Sequence, residues 1–194
     1  MDAAGMTQEE VQRLPLERQF KLLGERYVEM ERLFADAQRA IHRGPWIWGS
    51  KGLIPEGGPL NPWAMPGATM ENSYFLETSR SIRLPGATGE RTDTEPMVAH
   101  FEAQGWPTTV EETQTGSHHV KSTTAQGYSF TYMVEPNGWY TLDIYSRVFW
   151  CDRGALSSAV VDRVPDEQFD IEESPPGGHI PFPKWSDPVV FRDE

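Results

Sequence analysis

Five histidines and one cysteine are the first candidates for metal, acid–base or nucleophilic chemistry. His118 and His119 are adjacent in a stretch that alternates like a β-strand, so they point to opposite faces and cannot ligate one ion as a pair. His100 and Glu102 stand two apart in a helical stretch and also diverge. No His-Glu-x-x-His spacing occurs. Cys151, being alone, excludes an internal disulfide and a multi-cysteine zinc cluster. Its apolar surroundings beside Trp150 favour a buried thiol over a nucleophile. The chain has no Gly-x-Ser-x-Gly elbow, and Gly57-Gly58 lies between prolines rather than between a strand and a helix, where a phosphate-binding loop belongs. Glu111-Glu112 and Glu172-Glu173 are adjacent acids of the kind solvent accommodates. These residues point to no catalytic, cofactor or metal site, and the expectation is a protein that is not an enzyme.

Aromatic side chains are the other source of chemistry, and they concentrate between Gly127 and Trp150, in GYSFTYMVEPNGWYTLDIYSRVFW. Tyr128, Phe130, Tyr132 and Val134 alternate, as do Tyr140, Leu142 and Ile144 beyond Pro136-Asn137-Gly138. That three-residue connection has the composition of a type I turn closed by a left-handed glycine. It predicts Val134 opposite Tyr140, Tyr132 opposite Leu142 and Phe130 opposite Ile144, all on one face. Ser129, Thr131, Met133, Thr141 and Asp143 fall on the other face, which is too polar to be a second core. Trp139 and Tyr145 lie on that polar face, so Trp139, Thr141, Asp143 and Tyr145 form a candidate surface for a protein partner. The competing expectation is that residues 44–70 or the C-terminal tail fold over this face and bury both rings.

The elements that must position this hairpin follow from periodicity. Phe20, Leu23, Tyr27, Met30, Phe34, Ala37 and Ile41 recur at alternating steps of three and four within a helix over residues 8–43, with Pro15 separating a short lead-in. Glu17, Arg18, Glu25, Arg26, Glu29, Glu31 and Arg32 fall largely outside that stripe, which covers only about three heptads and holds bulky aromatics, so that packing on a sheet is expected over a coiled coil. Residues 44–70 are rich in proline and glycine but carry Trp46, Trp48 and Trp63, and read as an ordered loop whose indoles plug into the domain. A short strand is expected within 74–84. A helix follows over 94–105, signalled by Thr92-Asp93-Thr94-Glu95-Pro96 and closed by Gly105. Turns at Thr115-Gly116-Ser117 and Ala125-Gln126-Gly127 divide the next strands, and Ala155 to Val161 suits a short helix.

The predicted fold is therefore α+β: a mostly antiparallel sheet of four or five strands, with the long N-terminal helix and the second helix packed on one face. Residues 1–163 make one domain. Residues 164–194 make an acidic, proline-rich tail for which disorder is expected, although Phe182, Trp185 and Phe191 could anchor it. The 194 residues carry a net charge of −12, half of it in that tail, which argues against a nucleic-acid partner. No apolar run is long enough to span a membrane, and the first ten residues have no signal-peptide pattern.

The order of these elements, with Trp46-Ile47-Trp48, Phe101 to Gly105, Gly127-Tyr128-Ser129-Phe130, Leu142-Asp143-Ile144 and the segment from Pro181 to Pro188, resembles the LppA-like lipoproteins of mycobacteria and related actinobacteria. The resemblance implies the soluble part of a cell-envelope lipoprotein of unknown activity, and it transfers no catalytic residue. The chain departs from such proteins in lacking a lipobox cysteine and a cysteine pair, so membrane association would need an anchor absent from this sequence. An envelope location is expected if a removed signal preceded the chain, and a cytoplasmic one otherwise. The alternative expectation is a cytoplasmic acidic protein of the immunity or inhibitor kind that binds a basic partner.

Overall fold

Thr7 opens the first helical segment through a capping box: its hydroxyl accepts from the Glu10 amide at 3.2 Å, and the Glu10 carboxylate accepts from the Thr7 amide at 2.7 Å. The helix it starts, α1 (Gln8–Gln12), stops before Pro15, and α2 (Leu16–Ile41) begins just after that proline. In the computed structural model, which describes residues 1–190, the predicted stripe is the inner face of α2. Phe20, Leu23, Tyr27, Met30, Phe34 and Ala37 are buried, with Ile41 half-buried at the end. The 26 residues of α2 extend about 39 Å, enough to cross several strands.

Beneath α2 lies an antiparallel sheet of seven strands: β1 (Trp46–Lys51), β4 (Glu77–Arg83), β5 (Thr108–Glu112), β6 (His118–Thr123), β7 (Ser129–Val134), β8 (Trp139–Tyr145) and β10 (Glu173–Ser174). Their order across the sheet is β10-β1-β4-β8-β7-β6-β5. A smaller sheet joins β2 (Glu56–Gly57), β3 (Ser73–Phe75) and β9 (Phe149–Trp150). Helix α3 (Glu95–Ala103) packs beside α2 over β5 and β6, and α4 (Arg153–Val161) packs against α2 further along. The architecture is α+β, with α2 and α3 on one face of the sheet.

The β7–β8 hairpin has the register that its alternation dictates: Val134 opposite Tyr140, Tyr132 opposite Leu142, Phe130 opposite Ile144. Gly138 closes the turn at φ +77°, a conformation that disfavours a side chain. Gly24 serves a different purpose within α2. A Cβ there would stand 2.6 Å from Cδ1 of Phe182, so the missing side chain lets that ring lie on the helix. The close approach offsets the roughly 1 kcal/mol that a mid-helix glycine costs relative to alanine.

Three sequence expectations are corrected. The sheet has seven strands rather than four or five, because residues 44–70 supply β1 and the tail supplies β10. Trp46-Ile47-Trp48 is the start of β1, with Trp46 fully buried and Trp48 half-buried on the helix side, and Ile47 43% exposed on the other. Trp63 does not plug in; it is 54% exposed. The tail up to residue 190 belongs to the fold. Ser174 pairs with Trp46, Ile180 is fully buried, and Phe182 and Trp185 pack on Phe20 with ring centroids 4.9 and 5.3 Å away. Phe191 lies outside the described residues.

Charge also enters the core. Arg80 of β4 is 1% exposed and lies over the Trp48 ring, 3.9 Å from its centroid, donating from Nη1 to the Ser79 carbonyl at 2.9 Å and to the Ser50 carbonyl. Glu31, on the opposing helix, accepts from Thr78 Oγ1 at 2.8 Å. Burial holds the Glu31 carboxyl above the usual carboxylate range despite the nearby Arg80. Both charges are enclosed by α2 and the sheet.

Candidate functional site

Strand β8 lies between β4 and β7, and its odd-numbered side chains point away from α2. Trp139, Thr141, Asp143 and Tyr145 therefore share the sheet face opposite the helices, spread along about 20 Å. Pairing adds neighbours on both sides. Arg83, Ser81, Ser79 and Glu77 of β4 stand opposite these four residues in that order. Met133, Thr131 and Ser129 of β7 stand opposite Thr141, Asp143 and Tyr145. His119 and Lys121 of β6 extend the same rows. Thus His118 and His119 do diverge, with His118 buried on the helix side and His119 on this face.

Most of the face is stitched by its own hydroxyls and charges. Ser81 and Thr141 hydroxyls are 3.0 Å apart, Thr123 and Ser129 hydroxyls 3.2 Å, and Lys121 binds Glu111 at 2.6 Å. Ser79 Oγ donates to Asp143 Oδ1 at 2.6 Å, and no hydrogen bond among the described residues joins His119 to either. Trp139 and Tyr145 are both half-buried, and Tyr145 stacks on Phe75 with centroids 6.5 Å apart. Residues 44–70 border the face through β1, where Ile47 stands opposite Ser81, and also reach one end of it. There Trp63 and Met65 stand beside Thr123, Ser129 and Arg147 around a hollow of about 430 Å³.

The electrostatics of the face are uneven. Asp143 is 9% exposed, and burial holds its carboxyl above the usual range, against the opposing effects of Ser79 and His119. Glu77 is raised as well, first by burial and then by Asp143 and Glu56. Tyr145, between the two acids, is pushed up to about 12 by burial and by both carboxylates. Among the described residues, no Lys, Arg or His nitrogen lies within 4 Å of Glu77 or Asp143.

Other sequence candidates are dispersed. The Cys151 thiol is buried and pushed up to about 12 by that burial, so it holds almost no thiolate at neutral pH. His100 packs against Phe101 and Trp106, and burial lowers its pKa. No group of three His, Cys, Asp or Glu side chains among the described residues is placed to hold a metal. Sequence reasoning missed Glu77, Ser79 and Ser81 as members of the face. Their alternation in Glu77-Thr78-Ser79-Arg80-Ser81 is visible, but the pairing of β4 with β8 is not.

Compared with protein-family models, the chain matches none, and no curated protein shows significant similarity to it.

Proposed function

We propose that the protein is a non-enzymatic interaction protein that receives a protein partner on the helix-free face of its large sheet. One observation carries this reading: Trp139 and Tyr145 remain partly exposed at the two ends of a central strand, with hydrogen-bonding side chains between them. Amphipathic rings set among hydroxyls and amides are the composition of recognition surfaces, where Trp and Tyr supply much of the affinity. Assignment to a cell-envelope lipoprotein rests on the resemblance of the quoted motifs alone. The acidic inhibitor-type reading is favoured by a separate observation: Asp143 and Glu77 on the same face have no cation within 4 Å among the described residues.

A photo-crosslinking amino acid at position 131, in the middle of the face, tests the proposal against the same group at position 18 on the exposed side of α2. In cells that naturally produce the protein, a discrete adduct is expected from position 131 and not from position 18. Trp139→Ser with Tyr145→Ser should abolish it. Equal adducts from both positions, or an adduct indifferent to the double substitution, would reject the face as the binding surface.

A further inference from the structure

Trp63 holds more than half of its surface in water, yet the turn that carries it is anchored. Asn61 is buried; its Nδ2 donates to the Ser146 carbonyl at 2.9 Å, and its Oδ1 accepts from the Trp63 amide at 2.8 Å. One side chain thus ties the backbone of the indole to the residue before Arg147. Arg147 has no carboxylate within 4 Å, and its guanidinium donates to no group among the described residues. Its stem is seated nonetheless. A Cβ on Gly127 would stand 2.7 Å from Arg147 Nε and 2.8 Å from Cδ, so the bare glycine makes room for the side chain. Arg18, Arg43 and Arg91 equally lack ion pairs among the described residues, but they lie outside the hollow of about 430 Å³ that Arg147 shares with Trp63, Met65, Thr123 and Ser129. The acid on its wall, Asp2, is already engaged: Oδ1 accepts from the Ala4 and Met6 amides at 2.9 and 3.0 Å, and Oδ2 from the Trp150 amide at 3.2 Å.

We propose that this hollow is a binding site for a small aromatic carboxylate. The carboxylate would take the Arg147 guanidinium, whose planar fork matches it through paired, charge-assisted hydrogen bonds. The ring would lie against the exposed Trp63 indole in an offset or edge-on contact, with the Met65 thioether at its rim. The volume falls within the roughly 300–1,000 Å³ of small-molecule sites. A monoanion suits the hollow better than a phosphate dianion, whose second charge would meet the Asp2 carboxylate on the wall. Anchoring the indole through Asn61 and seating the guanidinium on Gly127 lowers the cost of ordering these side chains when a ligand arrives. The site adjoins one end of the helix-free face, and it stands without a protein partner on that face.

Indole-3-acetate is the probe and indole-3-acetamide its neutral counterpart, each titrated into the full chain at fixed ionic strength and followed by amide chemical shifts. Shifts are expected in residues 61–65, 123–129 and 147–148, with a Kd of about 1 mM for a ligand of this size. Arg147→Met should weaken the acid about tenfold and change the amide less than about twofold. Trp63→Ala removes an exposed ring and should weaken both ligands by about tenfold. Two controls should leave both affinities unchanged. Arg18→Met removes an exposed, unpaired arginine on α2, and Trp139→Ser alters the far end of the helix-free face.

Absence of these shifts at about 10 mM acid, equal weakening of acid and amide by Arg147→Met, indifference to Trp63→Ala, or a loss of affinity in either control would each overturn the assignment. Should Arg147→Met melt earlier than the unmodified protein, Arg147→Lys decides, because it keeps the charge and loses the fork. A weakening of the acid by about threefold with the amide spared supports the site. An unaltered affinity for the acid, or equal weakening of both ligands, rejects it.

Discussion

The two faces of the seven-stranded sheet treat charge in opposite ways. On the helix side, Arg80 and Glu31 are almost fully enclosed, yet each has company: Arg80 lies on Trp48 and donates to two carbonyls, and Glu31 accepts from Thr78. The opposite face carries Asp143 and Glu77 with no cation within 4 Å among the described residues. On the closed side Arg80 and Glu31 influence each other electrostatically, although no ion pair within 4 Å joins them. On the open face Lys121 pairs with Glu111, whereas Asp143 and Glu77 have no cation that close. Enclosure does not bring full pairing, since Arg80 Nη2 and the Tyr132 hydroxyl are buried on the closed side without a hydrogen-bond partner among the described residues.

The largest test of this contrast is on the closed side. Phe34→Ala should destabilise the protein by about 3–5 kcal/mol in urea denaturation, as for other buried aromatic truncations. An unchanged midpoint would mean that α2 does not close this face. Arg80→Met probes the charge itself. It leaves Glu31 buried without its cation and should cost about 2–3 kcal/mol near neutral pH. The sign follows from Glu31: its folded carboxyl is already raised, and losing Arg80 raises it further. Protonation relieves that penalty, so the cost of Arg80→Met should be larger at pH 8 than at pH 5.

The smallest effect is expected on the open face and has the opposite sign. Asp143→Asn keeps an oxygen for the Ser79 hydroxyl and removes a charge that burial disfavours. It should stabilise the protein by up to about 1 kcal/mol at pH 7. A raised carboxyl favours the folded state below the unfolded pKa of about 3.9 and loses that advantage as pH rises through the folded value. The gain in melting temperature should therefore vanish near pH 3.5 and grow toward neutrality. Destabilisation at pH 7 would show that Asp143 serves the fold, and the contrast between the faces would disappear.

Local signals were legible in the sequence where one short segment determines the outcome. Pro136-Asn137-Gly138 with alternation on both sides defines the β7–β8 register, and the stripe from Phe20 to Ala37 defines the buried side of α2. What stayed hidden depends on partners distant in the chain. Trp46-Ile47-Trp48 alternates like a strand, but its prolines and glycines nearby suggested a loop until β4 and β10 supplied its neighbours. Arg80 looks like a solvent-facing residue because nothing near it reveals that Trp48 and α2 enclose it. The candidate face was half visible. Trp139 to Tyr145 could be placed on one side, while Glu77 joined them only through long-range pairing.

The tail's attachment has a further consequence for how the protein is made. The Trp48 indole donates to the Ser174 hydroxyl across 126 positions, and Tyr27 donates to the Ile180 carbonyl across 153. During synthesis, the first strand of the sheet and the apolar side of the longest helix emerge well before the residues that complete them. Contacts of such sequence separation slow folding and prolong the exposure of apolar surface. The N-terminal half therefore emerges with Phe20 and the outer edge of β1 uncovered until residues 174–185 follow.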